Sequence, residues 1–109
     1  MDYSLLKLDI DIPAEYFEYV KISFISSREW FLRALGHEMT DFEIKESVSG
    51  HIHVKIWFKP PASNDFHLNL LQFLLGDSHY RSYMNMKRIF AGMNRWNKLF
   101  VEKRRIDAV

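Results

Sequence analysis

Two short motifs carry the residue types that could do chemistry. Leu8-Asp9-Ile10-Asp11 sets two carboxylates two residues apart, and Gly50-His51-Ile52-His53-Val54 sets two imidazoles at the same interval. Residues at i and i+2 of a β-strand point to one face of the sheet, about 6.7 Å apart, and neighbouring strands lie about 4.8 Å apart. If the two strands are neighbours, Asp9, Asp11, His51 and His53 converge on one patch. Carboxylate plus imidazole is the ligand mix for Mn²⁺, Mg²⁺ or Zn²⁺ with positions left open for substrate. A metal held there would polarise a phosphoryl oxygen and offset charge in phosphodiester chemistry. A second constellation follows later in the chain. Arg81, Asn85 and Arg88 stand at i, i+4 and i+7, one stripe of a helix that can contact successive phosphates.

The elements that must position these residues are legible from periodicity. Residues 5–12 alternate, with Leu6, Leu8, Ile10 and Ile12 facing one way and Lys7, Asp9 and Asp11 the other, which predicts a strand with one buried face. Pro13 ends it and suits a helix start. Phe17, Val20, Phe24, Trp30, Phe31, Ala34 and Leu35 recur at helical steps through 14–35, with Gly36 as the cap and a kink expected in the β-rich stretch 22–27. Phe42, Ile44 and Val48 alternate with Glu43, Lys45 and Ser47 as a second strand, and Ser49-Gly50 forms a turn or bulge. The third strand sets Ile52, Val54, Ile56 and Phe58 against His51, His53, Lys55 and Trp57. After Pro60-Pro61, a helix over 66–75 is apolar on most sides and is expected to be buried. Another spans 78–91, with Tyr80, Met84 and Phe90 toward the core, and a short strand at 98–103 closes the chain.

The order βαββα(α)β predicts an α+β domain over 1–109, a ferredoxin-like (RRM-like) βαββαβ sandwich. Its antiparallel sheet carries helices on one face in spatial order 4-1-3-2. Strands one and three are then central neighbours, with Asp9, Asp11, His51 and His53 on the open face. Lys55, Trp57 and Phe100 reach that face too, where exposed aromatics stack unpaired bases or meet a second subunit.

Composition narrows the classes. The 109 residues are 48% hydrophobic and 16% aromatic, enough for one core and too much for a disordered chain. The absence of Cys excludes disulfides, thiolate zinc sites and cysteine nucleophiles. No apolar run reaches membrane-span length, and the amino terminus lacks a signal pattern, so an intracellular protein with no membrane partner is expected. The net charge of +1 hides an asymmetry: residues 1–50 hold ten acids and five bases, and residues 51–109 hold four acids and ten bases. A basic second half, with Arg95 and Lys98 following the helical stripe, is how a DNA-binding surface looks in sequence.

The His-hydrophobe-His of Gly50-His51-Ile52-His53-Val54 resembles the metal motif of the HUH endonucleases, the rolling-circle Rep proteins and relaxases, which share the RRM-like sheet. Tyr83-Met84-Asn85-Met86-Lys87 is similar to that family's Tyr-x-x-x-Lys helix. The resemblance implies nicking of single-stranded DNA with Mn²⁺ or Mg²⁺. His51 and His53 would be ligands, with Asp9 or Asp11 as the acidic ligand. Tyr83 would be the nucleophile that forms a 5′-phosphotyrosine, and Lys87 its electrostatic helper. The Rep amino-terminal motif is not evident. Asp9-Ile10-Asp11 followed by Ser47-Val48-Ser49-Gly50-His51 also looks like the Asp-x-Asp and Ser/Gly-x-His elements of archaeo-eukaryotic primases, which implies a nucleotidyl-transfer remnant. The layout as a whole, with Leu74-Leu75-Gly76-Asp77 and Trp96-Asn97-Lys98-Leu99-Phe100, is similar to small proteins of archaeal viruses and plasmids, and host cytoplasm is the location that implies. The sequence thus supports a DNA-processing or DNA-binding protein of a mobile element, with a non-catalytic nucleic-acid-binding homodimer as the alternative.

Overall fold

The computed structural model describes residues 2–98 and the backbone of 102–105. Along the chain run β1 (Ser4–Ile10), α1 (Ala14–Phe17), α2 (Lys21–Ala34), β2 (Glu38–Ser47), β3 (Ile52–Lys59), α3 (Asp65–Leu74), α4 (His79–Phe90) and β4 (Glu102–Arg105). This is the expected α+β class, an antiparallel sheet with helices packed against it, compatible with a ferredoxin-like fold.

Alternation places most of the core as read, while Ile12 and Val48, past the ends of β1 and β2, are exposed. Leu8, Val54 and Ile44 form one cross-strand row, and Leu6, Ile56 and Phe42 the next. Against this face pack Phe17, Ile25 and Leu32 from the first crossover and Leu71 and Leu75 from the second. Each such side chain contributes about 1.5–3 kcal/mol on burial. The opposite face carries the polar rows Asp9–His53–Lys45 and Lys7–Lys55–Glu43.

The strand order differs from 4-1-3-2. β4 pairs with β2, so the sheet runs β1-β3-β2-β4 and β1 lies at an edge. The physical reason is on that edge. The Lys7 N–H donates to Gln72 Oε1 at 3.0 Å, and the Asp9 N–H donates to Asp77 Oδ1 at 2.8 Å. The Lys7 carbonyl accepts from Arg81 Nη1 at 3.0 Å. Side chains of the α3–α4 hairpin thus fill the places a fourth strand would take, one way of covering a sheet edge. The closing strand begins at Glu102, later than expected, and the readings for Leu99, Phe100 and Val101 lie outside the described residues.

Two helix expectations change. The segment 14–35 is broken just after Phe17, not at 22–27, and α2 restarts from Val20 as its N-cap. The segment 66–75, expected to be buried, is only partly so: Leu71 and Leu75 reach the core with Asn69 and Gln72, while Phe66, Leu70, Phe73 and Leu74 are exposed. α4 does the same. Tyr80 (70% exposed) and Phe90 (76%) stand outside, Met84 is half-buried, and Arg81 and Asn85 are buried. The reason is geometric. The inner flank of the hairpin meets the bare N–H and C=O groups of an edge strand, which need polar partners.

The hairpin turn is set locally. Asn64 and Ser78 cap α3 and α4 by accepting from the N–H groups of His67 and Arg81. Gly76, at φ 111°, takes the left-handed position at the end of α3, and the Asp77 N–H closes onto the Gln72 carbonyl at 2.9 Å. That turn delivers Asp77 to the β1 edge.

Candidate functional site

The Asp and His motifs do meet. β1 and β3 are neighbours, with Asp9 opposite His53. Asp9, Asp11, His51 and His53, with Ser47 and Ser49, line one cavity of about 720 Å³ on the face away from the helices. Inside it they form two pairs. His53 Nε2 lies 3.7 Å from Asp9 Oδ1, and His51 Nδ1 lies 3.3 Å from Asp11 Oδ1. His53 is almost fully buried, whereas Asp11 lies past the end of β1, largely in solvent. The Ser47 hydroxyl bonds the Ser49 hydroxyl at 3.0 Å and accepts from the His51 N–H at 3.0 Å, tying the β2–β3 turn to the cavity wall.

A resident divalent metal needs several donors aimed at one point. Among the described residues, no group of three or more His, Asp or Glu side chains is placed to hold one ion. The four side chains are arranged as two Asp–His pairs. Tyr83 and Lys87 are not brought to this cavity. Tyr83 is exposed on the side of α4 opposite Arg81 and Asn85, and Lys87 Nζ lies 4.8 Å from the centre of its ring.

The stripe of Arg81, Asn85 and Arg88 exists but turns inward. Arg81 Nη1 meets Asp77 Oδ2 at 2.7 Å, and Arg81 Nε donates to the Lys98 carbonyl at 2.9 Å. Asn85 Nδ2 donates to Asn69 Oδ1 at 3.2 Å, and Arg88 Nη1 donates to Asn85 Oδ1 at 3.2 Å. Arg81 and Asn85 are therefore committed to the interior and present nothing to a phosphate, a correction of their expected role. Burial raises the Asp77 carboxyl above its ordinary value. The Arg81 guanidinium and the N–H groups of Asp9 and Ser78 pull it back part of the way. Burial likewise lowers Arg81, against the pull of Asp77.

The remaining candidates are scattered. Lys55 is half-buried, with Nζ 3.8 Å from Glu43 Oε1 on the open face. Trp57, also half-buried, lies between Leu5 and Asp41 at the far end of the same face. Arg95 and Lys98 are exposed beyond α4, and Lys98 offers its backbone carbonyl to Arg81.

Sequence reasoning missed the network itself. Gln72 accepts from both the Lys7 N–H and Asn97 Nδ2, Lys7 Nζ reaches the Asn97 carbonyl at 2.8 Å, and Asn69 Nδ2 donates to the Ser82 carbonyl. The available signal was a pair of polar stripes, Asn69/Gln72 and Arg81/Asn85, on consecutive helices whose other sides are apolar. Two such stripes joined by a short turn can face one another.

Comparison of the chain with known proteins finds similar sequences in archaeal filamentous viruses. Over 92 residues it is 29% identical to an uncharacterized protein, ORF144, of Acidianus filamentous virus 1, covering 78% of this chain and 63% of that protein. Over 85 residues it is 40% identical to an uncharacterized protein of Sulfolobus islandicus filamentous virus, covering 77% of this chain and 31% of that protein. The chain thus spans less than two thirds of the length of each of these relatives. No protein-family model matches it, and no solved structure matches it. The expected similarity to archaeal virus proteins is found; no match supports the endonuclease or primase resemblance.

Proposed function

We propose that this chain is a binding module of a mobile element, working through the outward side of the α3–α4 hairpin and not through chemistry at the Asp–His cavity. The observation that carries the reading is the outward side of the hairpin: Asn69, Gln72, Arg81 and Asn85 are buried along with Leu71 and Leu75, while Phe66, Leu70, Tyr80, Tyr83 and Phe90 are exposed. Exposed apolar side chains gathered on one element mark interaction sites. The viral relatives support the mobile-element setting.

A second reading, binding of single-stranded nucleic acid, is favoured by the cations beside these rings. Lys87 lies over Tyr83, and Arg88, Arg95 and Lys98 follow along the chain. Aromatic rings interleaved with cations are how unpaired bases and their phosphates are held.

The test compares wild type with the double variant Tyr80→Ser/Phe90→Ser on three probes: the protein itself, single-stranded oligo-dT, and anionic phospholipid vesicles. The proposal expects binding to at least one probe, weakened about tenfold or more in the variant, as for loss of central aromatic anchors. For oligo-dT, log affinity should fall against log salt with a slope near −0.7 per phosphate contact. Binding to none of the three, or binding that the variant leaves unchanged, overturns the reading.

A further inference from the structure

The far end of the open sheet face carries a second cavity, of different make from the Asp–His one. It measures about 350 Å³ and is lined by Asp2, Tyr3, Thr40, Asp41, Trp57 and Lys59. Strand alternation brings its two rings to one side. Ser4 stands opposite the core residue Phe58, and its hydroxyl accepts from the Ala62 N–H at 2.9 Å. Tyr3 and Leu5 therefore turn to the open side, with Leu5 opposite Trp57. Tyr3 is exposed and Trp57 half-buried.

A break in the ladder supplies one of the two carboxylates. The β2–β3 register shifts between Met39 and Asp41, which leaves Thr40 outside the pairing and sets Asp41 opposite Trp57. Such a bulge re-aims the side chains beside it. It is pinned locally: the Thr40 hydroxyl donates to the Trp57 carbonyl at 3.2 Å, and Asp41 Oδ1 accepts from the Phe42 N–H at 2.8 Å. A neutral N–H orients the Asp41 carboxylate without cancelling its charge. Among the described residues, neither Asp2 nor Asp41 belongs to an ion pair. Lys59 is the cation of the lining, exposed and opposite Glu38 in the register. The lining thus holds two carboxylates against one ammonium.

Rings and charge together define a ligand. The face of a Trp or Tyr ring attracts a cation through its quadrupole, and a carboxylate beside it adds to the pull. A nucleotide stacked on the same rings would bring its phosphate to the two carboxylates, which the charge disfavours. We infer that this cavity binds an organic cation, a methylated ammonium or a guanidinium, on the Tyr3 and Trp57 rings beside the Asp2 and Asp41 carboxylates. The volume lies at the small end for ligand pockets and suits one such head group. The cation arrives as a small molecule or as the end of a methylated Lys or an Arg on a partner chain. The site is separate from the hairpin and does not depend on the reading of that face.

The experiment titrates the full chain with tetramethylammonium and with tert-butanol, an uncharged counterpart of similar shape. NMR follows the indole N–H signals, with Trp30, exposed on α2, as the control for unspecific contact. Tetramethylammonium should move the Trp57 signal saturably, and tert-butanol should bind about tenfold or more weakly. Asp41→Asn keeps the acceptor for the Phe42 N–H and removes the charge. That variant and Tyr3→Leu, at an exposed position, should each weaken binding about threefold or more, with thermal melts checking that both fold. Lys59→Gln should tighten binding by removing the competing cation. N-acetyl-trimethyllysine amide and N-acetyl-arginine amide then separate the sources. Tighter binding of either than of tetramethylammonium marks a side chain presented by a partner, and equal or weaker binding marks a free small cation. The inference is overturned by a Trp57 signal that does not saturate, by equal binding of tert-butanol, or by binding that Asp41→Asn leaves unchanged. Adenosine monophosphate that binds more tightly than the cation, and loses affinity in Lys59→Gln, overturns it in favour of a nucleotide.

Discussion

At the scale of the residue, Arg81 decides most. Its guanidinium joins the Asp77 carboxylate, the Lys7 and Lys98 carbonyls and the Asn97 side chain, so it links α4, the α3–α4 turn, a strand edge and the chain after α4. Removing one partner of a buried ion pair strands the other, at a cost of about 3–5 kcal/mol. Arg81→Met should lower unfolding stability by that order in urea titration. An Arg on a solvated stripe would stay within about ±0.5 kcal/mol. Asp77 adds a pH signature with a defined sign. Its folded-state pKa is raised by burial, so the folded protein binds more protons than the unfolded chain between the ordinary carboxylate value and the raised one. The contribution of Asp77 to stability therefore falls as pH rises through that window. Relative to Asp77→Asn, wild type should lose stability across it, and an opposite slope would show that the pair with Arg81 outweighs burial.

At the scale of the element, the hairpin reverses the usual rule for amphipathic helices. In an ordinary surface helix, replacing an apolar residue with Ser costs packing and replacing a polar one with Leu costs little. Here Tyr80→Ser should change the melting transition little, because the ring is exposed. Asn85→Leu should destabilise by about 1–3 kcal/mol, because it leaves the Asn69 amide carbonyl and an Arg88 N–H without their buried partner. Thermal melts of the two single variants decide it, and the reverse ranking would restore the orientation first read from sequence. The sequence marks the stripe and leaves its direction open. Periodicity gives the angle between faces of a helix and not which face meets the protein.

At the scale of the molecule, the position of β1 governs both sides of the sheet. As an edge strand capped by side chains, it keeps its outer N–H groups bonded without a fourth strand. Hydrogen exchange should report this directly. The amides of Lys7 and Asp9 should exchange slowly although they lie on an edge, and Gln72→Leu should speed the Lys7 amide while sparing Leu8, whose partner strand is β3. Equal exchange of Lys7 in wild type and variant would mean that Gln72 does not hold the edge. The same arrangement sets the Asp–His cavity on the face away from the helices, and Tyr83, exposed on α4, does not line it.

The sequence by itself determined the alternating strands, the helix start at Pro13, the cap at Gly36, the Ser49-Gly50 turn, the α+β class and the meeting of Asp9 with His53. Each follows from local period or from the pairing of β1 with β3, which a βαββ order nearly compels. Only the tertiary structure decided which edge β4 joins, and with it which flank of α3 and α4 faces inward. Those outcomes depend on competition between a fourth strand and side-chain amides, carboxylates and a guanidinium for the same backbone groups of Lys7 and Asp9. The competitors lie some seventy residues away in sequence, beyond the reach of any local pattern.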